Sequence, residues 1–132
     1  MDIILNAHSH TRWLVLTIAV VTVLLYLFGW LSKRSFSKFD RIMGSVFVGI
    51  LDMQALIGIV MLVMLLVEGT TLQVKQLEHI GTMFCAVAIA HLTARWKKLP
   101  DTLRFRNSLL FYIMALILVI HGIIRLRGGL TW

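Results

Sequence analysis

Charge is scarce in this chain, and acidic charge scarcest. Lys and Arg number 13, Asp and Glu together 6, and charged residues make up 14% of 132. A soluble domain usually carries about 25%, so too little charge is present here to cover a water-facing globule. Cysteine and proline are rarer still, with one of each, Cys85 and Pro100. A lone cysteine excludes an intrachain disulfide and any multi-cysteine zinc or iron–sulfur centre; Cys85 reads as a small buried apolar residue. The lone proline falls in the polar stretch 96–106, where it suits a break between helices. No Gly-rich phosphate loop, no HExxH pair and no Ser or Cys beside a base occurs, which argues against an ordinary hydrolase. No basic patch is interleaved with aromatics, so the net charge of +7 does not point to nucleic acid.

Apolar runs fill the space that charge leaves. Hydrophobic residues make up 59% of the chain, with a mean hydropathy of +0.89. A transmembrane helix needs roughly 20 mostly apolar residues, and four such stretches lie at about 13–31, 42–67, 79–95 and 108–124. They read as helices, because a segment in lipid must satisfy its own backbone groups and none shows the strict alternation of a barrel strand. The predicted fold is an all-α integral membrane protein, one four-helix transmembrane domain over residues 1–132. Residues 1–12 form a polar-punctuated lead, and no small-residue cleavage site follows the first span, so that span is expected to stay in the mature chain. The stretch from Gln76 to Lys98 is rich in small residues, including Gly81, Cys85, Ala86, Ala88 and Ala90. Such residues let helices approach closely in lipid, and it reads as the central helix.

Basic residues set the expected orientation. Lys33, Arg34, Lys38, Arg41, Arg95, Lys97, Lys98, Arg104 and Arg106 flank the first and third loops, against Arg12, Lys75, Arg125 and Arg127 on the other side. The positive-inside rule makes those loops cytoplasmic and puts both termini outside.

This topology turns five histidines into a pattern. His8, His10, His79 and His121 gather toward the outer face, while His91 lies about 18 Å deeper than His79 at 1.5 Å per residue. Imidazole is the common protein ligand of haem iron and also binds zinc and copper. His79 with His121, or His79 with His8, can supply two ligands from separate helices, and interfacial histidines can equally be hydrated caps. At about 100° per residue, His91 points away from the His79 face, so one cofactor does not take both. Asp52 falls near the bilayer middle, by this count one to two turns deeper than His91. An ionisable group at that depth is costly, and Asp52 with His91 reads either as a proton relay or as a structural polar pair. Gln54 lies on the nearly opposite face from Asp52. Arg12 reads as a snorkelling arginine, or as a partner for Glu78 or a haem propionate.

The opening His8-Ser9-His10-Thr11-Arg12-Trp13-Leu14 resembles the start of a family of small bacterial four-helix membrane proteins labelled cytochrome b-like. Lys38-Phe39-Asp40, Gln54 with Gly58, and Glu78-His79 extend the resemblance over most of the chain. It implies a bundle in the bacterial plasma membrane that binds haem b and moves electrons, with His8 and His79 at the matching positions. This chain has Asp52 where such proteins often carry a histidine, which leaves one outer haem or none.

Three functional readings follow. The first is a membrane electron carrier, not a stand-alone enzyme, with haem b held by His8, His79 or His121 and with Arg12 nearby. It would exchange electrons with a quinone in the bilayer, alone or as a respiratory-complex subunit. The second is a cofactor-free accessory subunit packed against other membrane subunits or further copies of itself. The third is a metal or proton conduit through the outer histidines, Asp52 and His91.

Overall fold

A computed structural model describes residues 1–130. Four helices account for most of them: α1 (Asp2–Leu31), α2 (Lys38–Val67), α3 (Val74–Leu92) and α4 (Asp101–Arg127), with one 3-10 turn (Thr93–Trp96) after α3. All four are long and apolar enough to cross a membrane. The lead at 1–12 is not a separate segment. It forms the first three turns of α1, which carries His8 and Arg12 on one continuous helix.

Local chemistry sets the ends. Ser37 caps α2 in a reciprocal box with Asp40, three residues on, which satisfies two otherwise orphaned N–H groups. Pro100 immediately precedes α4, and Gly128 closes it in the left-handed conformation at φ 80°, where a β-carbon is disfavoured.

α1 packs against α2 and α4, and α3 packs most extensively on α4, whereas α2 and α3 touch least among the neighbouring helices. The order around the bundle is therefore α2–α1–α4–α3, with a loose seam between α2 and α3. This corrects the expectation that the stretch 76–98 is central. α4 and α1 bury the largest shares of their apolar windows, 33% and 28%, against 11% for the third segment. The small residues of α3 divide between two faces. Ala86 and Ala90 are fully buried, while Gly81, Cys85 and Ala88 are exposed. Small side chains mark one close crossing, not a helix surrounded on all sides. In lipid that crossing holds by dense packing rather than by hydrophobic transfer.

The two ends of the bundle differ. The end with the 32–37 loop is tied by Asp40, fully buried and bonded by Arg34 at 2.6 and 2.8 Å. The Ser37 N–H and hydroxyl also donate to Asp40, and the Tyr26 hydroxyl donates to its carbonyl. The carboxylate holds the Arg34 guanidinium above its ordinary pKa. Phe36, Phe105, Tyr26 and Tyr112 pack edge-on or tilted around this knot, and Arg104 lies 3.7 Å over the Phe36 ring. The other end, where α1 begins and α4 finishes, is less filled.

A candidate cofactor site between His8 and His79

At the less filled end, an apolar cavity of about 360 Å³ opens between all four helices. Ligand sites commonly enclose ~300–1,000 Å³. Along α2 its wall runs from Leu51 to Leu65, roughly 21 Å at 1.5 Å per residue. The stripe Leu51, Gln54, Ala55, Gly58, Leu62 and Leu65 faces it, spaced at three and four residues as one helix face requires.

Two imidazoles meet there. His8 from α1 and His79 from α3 have ring centres 6.3 Å apart, with planes at 79°. Each sits against a glycine. A β-carbon at Gly58 would lie 3.1 Å from His8 Cε1, and one at Gly122 would lie 2.4 Å from Met83 Cε and 3.4 Å from His79 Nδ1. The α2 and α4 backbones can therefore approach the rings closely.

Hydrogen bonding decides what each ring offers. His79 Nδ1 is 3.0 Å from the Gly122 carbonyl. A carbonyl only accepts, so Nδ1 carries the proton, and in the neutral ring Nε2 keeps a lone pair. Backbone carbonyls orient metal-binding histidines in the same way. Buried His8 Nδ1 has no hydrogen-bond partner among the described residues. The backbone of His8 is fixed instead: Gln54 Nε2 donates to its carbonyl at 2.8 Å, and the Thr11 hydroxyl donates to Gln54 Oε1. This bridge ties α1 to α2 beside the cavity.

Cations rim the apolar space. Arg12, only 6% exposed, and Arg127 both line the cavity. Arg127 Nη2 donates to Ser9 at 2.9 Å. Glu78 is paired with Arg125 at 2.7 Å, so the anticipated Arg12–Glu78 pairing gives way to a link between α3 and α4.

Of the residues singled out from the sequence, His8, His79 and Arg12 come together here. His121 does not line the cavity; it is exposed, and the residue after it, Gly122, supplies the carbonyl to His79. His10 is exposed and donates Nδ1–H to the Asn6 carbonyl at 2.7 Å. Asp52 and His91 also lie outside the cavity and bond each other, His91 Nε2 to the carboxylate at 2.8 and 3.0 Å. They share one depth because α2, at 30 residues, starts well below the end of α3, at 19. Counting inward from the basic loops therefore misaligns them, whereas counting from Val67 and Val74 gives them nearly equal depth. Cys85 is exposed rather than buried. Gly122 escaped the sequence reading, Gly58 entered it through the resemblance, and Gln54 was placed on the face opposite Asp52 but not beside His8; the three- and four-residue spacing of Leu51, Gln54, Gly58, Leu62 and Leu65 was the available signal for the α2 pair.

No protein-family model, curated protein or solved structure matches this chain. Among the described residues no group of three or more His, Cys, Asp or Glu is placed to hold a metal ion. The histidine pair is suited instead to a group that fills its other coordination positions itself. An unpartnered buried nitrogen, an oriented second ring, apolar walls and two rim guanidiniums all fit haem b.

Proposed function

We propose that this protein is a small membrane cytochrome that holds one haem b between His8 and His79 and passes electrons through it. The single observation that supports this reading is the meeting of two imidazoles from separate helices in an apolar cavity, one already oriented by a carbonyl. His8 and His79 would hold the haem iron. Arg12 and Arg127 would face the propionates, for which guanidinium is the suited partner. When bound, haem supplies a one-electron iron couple whose potential follows its axial ligands and burial. The chain's own work is positional: the Gly122 carbonyl sets the His79 tautomer, Gln54 fixes the His8 backbone, and the α2 stripe excludes water.

In this reading the chain sits in a bacterial plasma membrane with its basic loops cytoplasmic. The cavity then opens toward the outer leaflet, and both termini lie outside.

An absorption spectrum tests the proposal. Protein purified with haem supplied should show Soret and α bands that sharpen on reduction, and His79→Ala or His8→Ala should cut the bound haem at least tenfold while the helix content stays. Colourless wild-type protein after haem reconstitution would remove the reading.

One observation favours a second reading, an accessory subunit of a larger membrane complex. α2 buries only 6% of its apolar window, and an extensive apolar helix surface is open to other chains as well as to lipid. Stable co-purification of a partner by the colourless protein would support it.

A further inference from the structure

Positive charge is left over at the packed end of the bundle. Nine of the 13 basic residues lie there, within 33–41 and 95–106, with only two of the 6 acidic ones, Asp40 and Asp101. Asp40 is taken up by Arg34. Of the nine, Arg34 and Arg104 are half-buried and the others are exposed to water. Arg104 has no carboxylate partner among the described residues. A charge drawn out of water is ordinarily paired, so Arg104 calls for an anion.

Packing fixes where that charge sits. The Arg104 Cζ lies 3.7 Å over the Phe36 ring. Phe36 is braced by Phe105 and Tyr26, with ring centres 4.8 and 5.6 Å away. Phe105 is fully buried and rests on Gly29 of α1, where a β-carbon would meet the ring at 2.5 Å. A guanidinium lying on an aromatic face keeps its N–H edge for acceptors. Phosphate oxygens suit that edge, because two parallel hydrogen bonds can form.

The surroundings point to a lipid as the source of the phosphate. On α4, Arg104 stands between buried Phe105 and exposed Leu103. Leu103, Leu110 and Ile117 are all exposed and recur every seven residues, so they share one face. They rise about 21 Å at 1.5 Å per residue, more than half of a ~30 Å hydrocarbon core. Trp30 and Trp96 belong to the same end of the bundle, and indoles favour the headgroup level. A headgroup phosphate on Arg104 therefore leaves its acyl chains beside an apolar stripe. The local excess of basic over acidic residues favours a lipid of net negative charge over a zwitterionic one.

We infer that Arg104, stacked on Phe36, is the seat for the phosphate of an acidic phospholipid whose chains lie along Leu103, Leu110 and Ile117. The seat is at the opposite end from the His8–His79 cavity and does not rest on the haem reading.

Native mass spectrometry of the full chain in a non-ionic detergent tests this, with phosphatidylglycerol or phosphatidylcholine of matched chains added. One phosphatidylglycerol should stay bound per chain, at least tenfold more than phosphatidylcholine. Arg104→Gln should cut it at least twentyfold, and Phe36→Leu should lower it at least threefold. Arg106→Gln makes the same charge change at an exposed position. It should cost no more than about fivefold, the share of any one cation near an acidic surface. Circular dichroism checks that each variant keeps its helices. In unaltered protein, phosphatidylglycerol carrying a diazirine in its acyl chain should label 103–117. Equal losses in Arg104→Gln and Arg106→Gln would reduce the seat to diffuse attraction and overturn it. So would label confined to other helices, or displacement of the lipid by an equal concentration of glycerol phosphate, since the anion alone would then be what binds.

Discussion

His79 depends on one backbone oxygen. The Gly122 carbonyl fixes which ring nitrogen is protonated, and the missing side chain at 122 lets that oxygen come close. Gly122→Ala brings a methyl group 2.4 Å from Met83 Cε, which a flexible methionine can relieve, so if the protein holds haem as proposed, a partial loss of it is expected. Gly58→Leu is more severe. It puts a branched side chain against His8, 3.1 Å from where even a β-carbon would sit, and into the cavity. Bound haem, measured by pyridine haemochrome, should fall at least tenfold with the circular dichroism of the helices retained. Gln54→Leu removes the donor to the His8 carbonyl and the acceptor for Thr11. Such interhelical bonds in membranes contribute about 0.6–2 kcal/mol, so a loss of ~1 kcal/mol in detergent unfolding and weaker haem binding are expected. The direction of each change was not available from residue identity alone, since a histidine at a helix start serves equally well as a cap.

At the scale of elements, the knot at the basic end holds α1 to α2. Asp40 is fully buried, and Arg34 is its counter-charge. Removing one partner of a buried pair costs about 3–5 kcal/mol, and an exposed one about 0.2–1. Arg34 is 30% exposed, so Arg34→Ala should fall between, at ~2 kcal/mol. Steric trapping or mild denaturant unfolding checks the value, and the haem spectrum should not change because the knot is at the opposite end. The capping box went unread in the sequence, although Ser37 precedes Asp40 by three residues just before an apolar run. The buried state of Asp40 was not legible there, since a first-turn Asp is usually left in water near the helix N-terminus.

For the whole molecule, the separation of a packed basic end from a loosely packed opposite end is the feature that function would exploit. If the basic loops are cytoplasmic, alkaline phosphatase fused after Leu130 should be active, and a fluorescent protein fused there should stay dark. The same phosphatase inserted in the 32–37 loop should be inactive. The reversed result would turn the cavity toward the cytoplasm and remove an outer electron partner.

Composition and apolar run length alone determined that this chain forms four long helices, because both the span of a bilayer and the need to satisfy backbone bonds are one-dimensional constraints. Their residues also marked which imidazoles fall near the same end. Tertiary structure decided the rest. It selected His8 over His121 as the neighbour of His79, brought Asp52 level with His91, and buried α4 and α1 more than α3. Those outcomes depend on how far helices of unequal length slide past one another and on the angle at which each face meets its neighbour. Neither quantity is carried by any single segment.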